Sequence, residues 1–446
     1  MNVALHKFFS SDEIEQLARS CGFVERNSPI TGFKFLLTMT SGSLSAPDAS
    51  LSQLAAFLSA ACDTKVSAQA LDARFSIAAM AFMRCCLLKA LAMAARPRKF
   101  TNGAITDFDH VYIIDSTTFD IHPSLRDIFK GSSGSGSPAS MRIQLVLDYR
   151  TGLLYAQIGD TKLCDAPTLH RIVENHELDV SGQCLFLSDL GYFKFATFKS
   201  IKKNDLHFLS KCMFGVTFHD ERGLEINLDD MLKKNSESFD RTVVIDGQTY
   251  RLVGTRLSDD AVNRRLRKAN KKAQKKGKGC TALTDAYRRF AHYAIFLTSL
   301  PVIYAMETLY TFYRIRWQIE LVFKTWKSIL GINETRTART ERLMCEVYGK
   351  LILAAISAMI TAVAEAMPDS PIVSLHRAMK HLRAVALHLA TAIVKGGSAL
   401  HTFLAKLTSD IVRLCHKHKQ KNKPTIETLL QADPLTIPKN ANLKSA

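Results

Sequence analysis

The stretch from Tyr310 to Leu330 constrains this chain most, because its polar and apolar residues sort onto opposite sides of a helix. At about 100° per residue, with Tyr313 at zero, Arg316 falls at about −60°, Glu320 at about −20° and Lys327 at about −40°. One phenol, two cations and one carboxylate share a narrow stripe. Ile315, Ile319, Val322 and Trp326 fall at about 180–240°, on the other side. Such a helix has a bulky apolar back and a charged front about four turns long. A Glu between two cations also makes an ordinary salt-bridge ladder on a solvated face, and that plain reading competes with any functional one. Against it, the polar stripe is narrow, and both tryptophans of the chain lie in this helix. A carboxylate flanked by Arg and Lys suits a metal-bound phosphodiester: the Glu holds the cation and the bases hold the phosphates.

Two further carboxylates stand at the ends of apolar runs. Val111 to Ile114 reads as a buried strand ending at Asp115, followed by Ser116-Thr117. Cys184 to Ser188 is a second such run, ending at Asp189 before Gly191-Tyr192. Between them, Met141 to Asp148 and Leu153 to Ile158 read as strands and Asp165 to His176 as a helix. A helix over Phe193 to Lys203 and a strand over His207 to Ser210 follow. Asp148 and Asp160 are rival carboxylates on the second and third strands, and taken singly Asp115 also fits a turn or cap residue. The Gly/Ser loop from Lys130 to Pro138 lacks the G-x-x-x-x-G-K-[ST] of a phosphate-binding loop and reads as a flexible connection.

The spacing Y-x2-R-x3-E-x6-K of Tyr313, Arg316, Glu320 and Lys327 resembles the signature of a cut-and-paste branch of the DDE transposases of bacterial insertion sequences. The sequences D-S-T at Asp115 and S-D-L-G-Y-F around Asp189 resemble that family's two aspartate motifs, with Leu190 where a basic residue is common. The resemblance implies an α/β fold: an RNase H-like mixed-sheet core interrupted by a β-rich insertion, with helical N- and C-terminal regions. On that reading residues 1–108 bind the DNA end, 109–214 and 293–334 form the core, 215–292 are the insertion, and 335–446 are helical and able to dimerise. It further implies that Asp115, Asp189 and Glu320 are the catalytic metal ligands for two Mg²⁺ or Mn²⁺ ions. Tyr313, Arg316 and Lys327 are then contacts to double-stranded DNA, element end and target, within a homodimer that pairs two ends. Strand nicking, a hairpin intermediate and strand transfer complete the implied reaction.

Composition agrees with a polyanionic partner. The formal net charge is +18 with a pI of about 9.5, which favours nucleic acid over an anionic membrane surface. The ten cysteines include no C-x-x-C and two neighbours, Cys85 and Cys86, so they read as reduced thiols of a cytoplasmic protein, and the resemblance to bacterial transposases implies association with the nucleoid. No signal peptide is visible, and the longest apolar run, Leu351 to Val363, is too short to span a bilayer, so no membrane is expected.

Toward the N-terminus, Ser10 or Ser11 caps a helix ending near Gly22. A helix over Ser52 to Ala61, a short break and a helix capped by Ser67 give the outline of a helix-turn-helix, with Gln69, Asp72 and Arg74 as exposed candidates for DNA. Arg96 to Lys99 reads as a basic linker. In the insertion, strands over Arg241 to Ile245 and Gln248 to Gly254 meet at Asp246-Gly247, a strong hairpin signal. Arg264 to Lys278 then holds nine Lys and Arg and no acid. It reads either as a solvated disordered run or as a phosphate-tracking arm, through Arg264, Arg265, Arg267, Lys268, Lys271 and Lys272. A strand over Ala294 to Leu300 precedes the signature helix, and His416 to Lys423 is a basic tail. Two other functions fit parts of this sequence: an RNase H-like nuclease or an inactive element copy, and a non-catalytic DNA-binding regulator. An intact acidic triad counts against the regulator.

Overall fold

The computed structural model describes residues 8–94, 103–131, 137–234, 236–275, 283–367, 370, 372–417, 426 and 430, except the side chains of residues 272 and 275. The basic linker at 96–99, most of the Gly/Ser connection and residues 418–423 of the basic tail lie outside them.

Ten strands form one mixed sheet in the order β3-β2-β1-β4-β5-β10-β9-β8-β6-β7. They are β1 His110–Asp120, β2 Ser140–Asp148, β3 Leu154–Gly159, β4 Cys184–Ser188 and β5 His207–Lys211. The others are β6 Phe218–His219, β7 Glu225–Ile226, β8 Ser238–Ile245, β9 Gln248–Arg256 and β10 Tyr293–Thr298. β4 runs parallel to both β1 and β5. β2 is antiparallel to β1 and β3, and β10 is antiparallel to β5 and β9. The hairpin of β8 and β9 turns at Asp246 and Gly247, both at positive φ (48° and 71°), as a tight turn of this kind requires. Because β9 pairs along β10, the segment between the two core stretches enters the same sheet.

Both faces of the sheet are covered, and strand alternation decides what each face carries. Val111 and Ile113 of β1, with Leu185 and Leu187 of β4, join one core. Tyr112, Ile114 and Phe186 join the other, under the helices Asp165–Glu174 and Phe195–Lys203. By the same period, Asp115 and Asp189 belong to the first face. That face is covered by Met306–Ile315 and Trp317–Ser328, whose Leu309, Phe312, Ile315 and Ile319 are buried in the same core.

The signature stretch is therefore two helices, not the single one the wheel predicts. At Arg316 the backbone tightens into i→i+3 bonding: Arg316 N–H donates to Tyr313 O (3.1 Å), and Ile319 N–H to Arg316 O (3.2 Å). The first strand also departs from expectation. It runs on for five residues beyond Asp115 because β2 stays paired with it as far as Asp120↔Ser140, whereas β4 leaves at Ile113↔Leu187. Asp115 thus stands mid-strand, just past the point where one neighbour ends.

Long helices Ile77–Ala94 and Thr340–Glu365 pack against each other in the helical layer beneath the first face. Both are long and apolar enough to cross a membrane, yet Leu351 to Ile356, Met359 and Ile360 are buried inside this fold. Ser10 and Ser67 cap their helices as read, but the helix after Ser67 is only five residues, Ala68–Asp72. This shortens the expected helix-turn-helix to a helix and a turn.

Candidate active site

The site forms where β1 and β4 end their pairing and the two signature helices cross above them. Arg316, 8% exposed, reaches down from the tightened turn. One guanidinium nitrogen, Nη1, donates to Asp115 Oδ2 at 3.3 Å; the other, Nη2, donates to Glu320 Oε1. Glu320 sits one turn further along, so the same helix supplies both the clamp and the third carboxylate. Tyr313, 5% exposed, packs its ring on Phe296 and donates its hydroxyl to Asp189 Oδ1 at 3.3 Å. Two aspartates from the sheet and one glutamate from the helix are thereby joined through one arginine and one tyrosine. In front of Asp115 an open cleft of about 600 Å³ is walled by Ser116, Thr117, Glu320, Lys324 and Lys327 among others.

Burial and the crowding of charge both act on the ionisation of these groups. Burial pushes the Asp115 carboxyl up to about 6; Asp189 and Glu320 add to the rise, while the Ser116 N–H and Arg316 oppose it. Burial works against the Arg316 charge, but Tyr313, Asp189 and Glu320 outweigh it and raise its pKa. Burial raises the Tyr313 phenol far above its ordinary value, Arg316 opposing and Asp189 adding to the rise. Three carboxylates gathered here offer hard oxygen donors, which suit a divalent cation such as Mg²⁺. As arranged, Arg316 stands between Asp115 and Glu320, and among the described residues no three acidic, histidine or cysteine side chains are gathered to share one ion. The donor chemistry fits a metal; Arg316 competes for the same oxygens.

Several expected DNA contacts are engaged inside the protein. Tyr313 faces Asp189 rather than the cleft, because its ring completes the core under the helix. Arg74 lies over the Phe23 ring, 4.3 Å from its centroid, and donates to Phe23 O at 2.9 Å. Its neighbour Asp72 is paired with Arg339, while Gln69 stays exposed. As far as residue 275 the basic run lies in a helix, Asp259–Lys275, opened by two acids at its N-terminus and rich in good helix formers, and residues 276–278 lie outside the described residues. Arg265 points inward, donating to Tyr293 O at 2.5 Å beneath Phe290. Arg264, Arg267, Lys268 and Lys271 fall at i, i+3, i+4 and i+7 and are exposed, one continuous basic stripe. The side chain of Lys272 lies outside the described residues.

Two cations escaped the sequence reading. Lys324 lines the cleft one turn beyond Glu320, a spacing that could have flagged it. Lys211 ends β5, beside Asp189 at the end of β4, with its ammonium 5.3 Å from the Tyr313 ring centroid. Burial lowers its pKa, Asp189 pulls upward, and Arg265 and Arg316 depress it further. A cation closing a buried strand was the signal.

The sequence model of the family described as "Transposase DDE domain" matches residues 106–356. Among curated proteins, the chain is 27% identical to the transposase for insertion sequence element IS231C of Bacillus thuringiensis subsp. berliner, over 78% of this chain and 77% of that protein. It is also 27% identical to the transposase for insertion sequence element IS1151 of Clostridium perfringens, over 97% of this chain and 96% of that protein. The family match covers more than half of the chain and spans Asp115, Asp189 and Glu320, so the protein belongs to the DDE transposase family.

Proposed function

We propose that this protein binds the terminal inverted repeats of an insertion sequence, cleaves the DNA there and joins the 3′ ends to target DNA. The observation that carries this reading is the convergence of Asp115, Asp189 and Glu320 on one cluster held by Arg316 and Tyr313. The curated relatives support it, since both are named as transposases for insertion sequence elements. On this reading β1 to β5 are an RNase H-like core, and two Mg²⁺ or Mn²⁺ ions are held by the three carboxylates. Bound there, the ions supply an activated water or 3′-hydroxyl and stabilise the leaving oxygen.

The chain's own residues do the rest. Arg316 holds Asp115 and Glu320 at a common site through its two terminal guanidinium nitrogens. Lys324 and Lys327 on the cleft wall bind the phosphates flanking the scissile bond. Tyr313 fixes Asp189 from beneath. The stripe of Arg264, Arg267, Lys268 and Lys271 holds the backbone of the DNA further out. Two copies pair the two ends in a synaptic dimer.

The test is incubation with Mg²⁺ of a supercoiled plasmid carrying the gene's own flanking DNA. Wild type cuts at the element ends and Glu320→Ala does not, though it still retards the end DNA on a gel. Equal cutting by both proteins removes Glu320 from the site, and no cutting by either removes the transposase reading.

A further inference from the structure

Behind the two aspartates, on the opposite face of the sheet, one carboxylate ties both of their segments together. Asp165 opens the helix Asp165–Glu174. Its Oδ1 accepts from Ser116 Oγ at 2.8 Å and from Gln144 Nε2 at 2.8 Å. Arg142 Nη1 lies 3.6 Å from the same oxygen. Gln144 is the cross-strand partner of Ser116 and accepts from the Tyr192 hydroxyl at 2.5 Å. Gly191 passes so close that a Cβ there would lie 2.8 Å from Asp165 Oδ2. Gln144 and Tyr192 are both about 1% exposed, so the inner half of this network is enclosed by protein and costly to leave half satisfied, while the Asp165 side chain is 26% exposed. Ser116 follows Asp115 directly, and Gly191 and Tyr192 follow Asp189 by two and three residues.

We infer that Asp165 is a positioning residue for Asp115 and Asp189: it fixes the strand carrying the first directly, through Ser116, and the turn carrying the second through Gln144 and Tyr192. Strand hydrogen bonds alone do not do this, because β1 and β4 stop pairing at Ile113↔Leu187, before either aspartate is reached. Beyond that point the two segments are free of each other on the sheet, and the hub of Asp165, Gln144, Ser116 and Tyr192 bridges the gap from behind. Groups that orient metal-binding carboxylates from behind typically change metal affinity or activity by about 10–100-fold when removed. The same range is expected from a displacement of a reacting group by about 1 Å. The inference rests on the proposed function only for the reaction it expects to see slowed.

The experiment measures Mn²⁺ binding to the DNA-free protein by the electron paramagnetic resonance of free Mn²⁺, and end cleavage with Mg²⁺. Wild type is compared with Asp165→Ala and Asp165→Asn, and the melting temperature of each is recorded. Asp165→Ala is expected to weaken Mn²⁺ binding and slow the cleavage step by at least about tenfold, with end-DNA affinity within about twofold of wild type. Asp165→Asn keeps Oδ1 as an acceptor for Ser116 and Gln144 and is expected to recover most of both. Should Asp165→Ala not fold, Ser116→Ala and Tyr192→Phe each cut one link and carry the same expectation at about threefold. Mn²⁺ binding equal in all variants, or absent from wild type, overturns the inference. Loss of Mn²⁺ affinity in Asp165→Ala alongside a wild type that never cuts DNA sinks the transposase reaction and leaves the positioning role standing.

Discussion

Replacing Asp115 by Asn is expected to stabilise the fold while abolishing cleavage. Asp115 has a side chain only 23% exposed and a carboxyl pushed from 3.8 to about 6, first by burial and then by Asp189 and Glu320. The folded protein therefore holds the Asp115 proton more tightly than the unfolded chain does. Between pH about 4 and 6 the folded state carries the extra proton, so stability falls as pH rises through that window and stays low above it. At about 1.4 kcal/mol per factor of ten in affinity, the penalty at neutral pH is about 3 kcal/mol. Asparagine has no charge to desolvate and keeps an oxygen for the Ser116 N–H, which Asp115 accepts at 2.8 Å. At ~2.1 cal/mol/K per residue, a chain of 446 residues unfolds with about 0.9 kcal/mol/K, so the full penalty corresponds to about 3 °C. Metal-free protein is melted by scanning calorimetry at pH 7.5 and at pH 4.5. Asp115→Asn should melt about 1–3 °C above wild type at pH 7.5, and the gain should shrink toward zero at pH 4.5. A variant that melts below wild type at pH 7.5, or a gain independent of pH, refutes the reasoning.

Arg316→Lys keeps a charge but cannot span two carboxylates. With charge-assisted hydrogen bonds worth about 1.5–3 kcal/mol each, end cleavage should fall at least about 100-fold, read in a single-turnover assay. Tyr313→Phe removes only the hydroxyl on Asp189 while the ring stays on Phe296. Cleavage should slow by about three- to tenfold with the melting temperature within about 1 °C, because the net worth of one hydrogen bond is about 1 kcal/mol. On the basic helix, Lys268→Ala should weaken DNA binding and lower the slope of log affinity against log salt by about one, with no loss of stability. Arg265→Ala should do the reverse, lowering the melting temperature because Tyr293 O loses its donor.

The parts that were legible in the sequence were those set by local rules. Ser10 and Ser67 cap helices because a hydroxyl before an apolar-periodic run has few better uses. Asp246-Gly247 marks its hairpin because few other pairs tolerate two positive φ values. The stripe of Arg316 and Glu320 was read from periodicity, and the two residues do meet. What stayed hidden depends on contacts distant in sequence. Nothing local says that Arg74 will lie on Phe23, that Asp72 will be taken by Arg339, or that Arg265 will turn inward beneath Phe290. A cation reads as exposed until a partner of matching shape is known. The tightening at Arg316 is invisible for the same reason: a wheel assumes even turns, and here the arginine must reach the sheet. Lys211 and Asp165 were overlooked because each gains its meaning from a neighbouring strand or turn, and strand order is not written in any single segment.

The most direct measurement is strand transfer from a pre-cut end. A duplex of the element terminus with a free 3′-hydroxyl is mixed with target plasmid, Mg²⁺ and each of wild type, Asp115→Asn, Asp189→Asn and Glu320→Gln, and joined product is quantified on a gel. Wild type should join the end to the plasmid, while each variant binds the duplex with near-wild-type affinity and joins at least about 100-fold less, as expected when one member of a charge-stabilising site is lost. Joining by any one variant at the wild-type rate would contradict the claim that these three carboxylates form a single reaction centre.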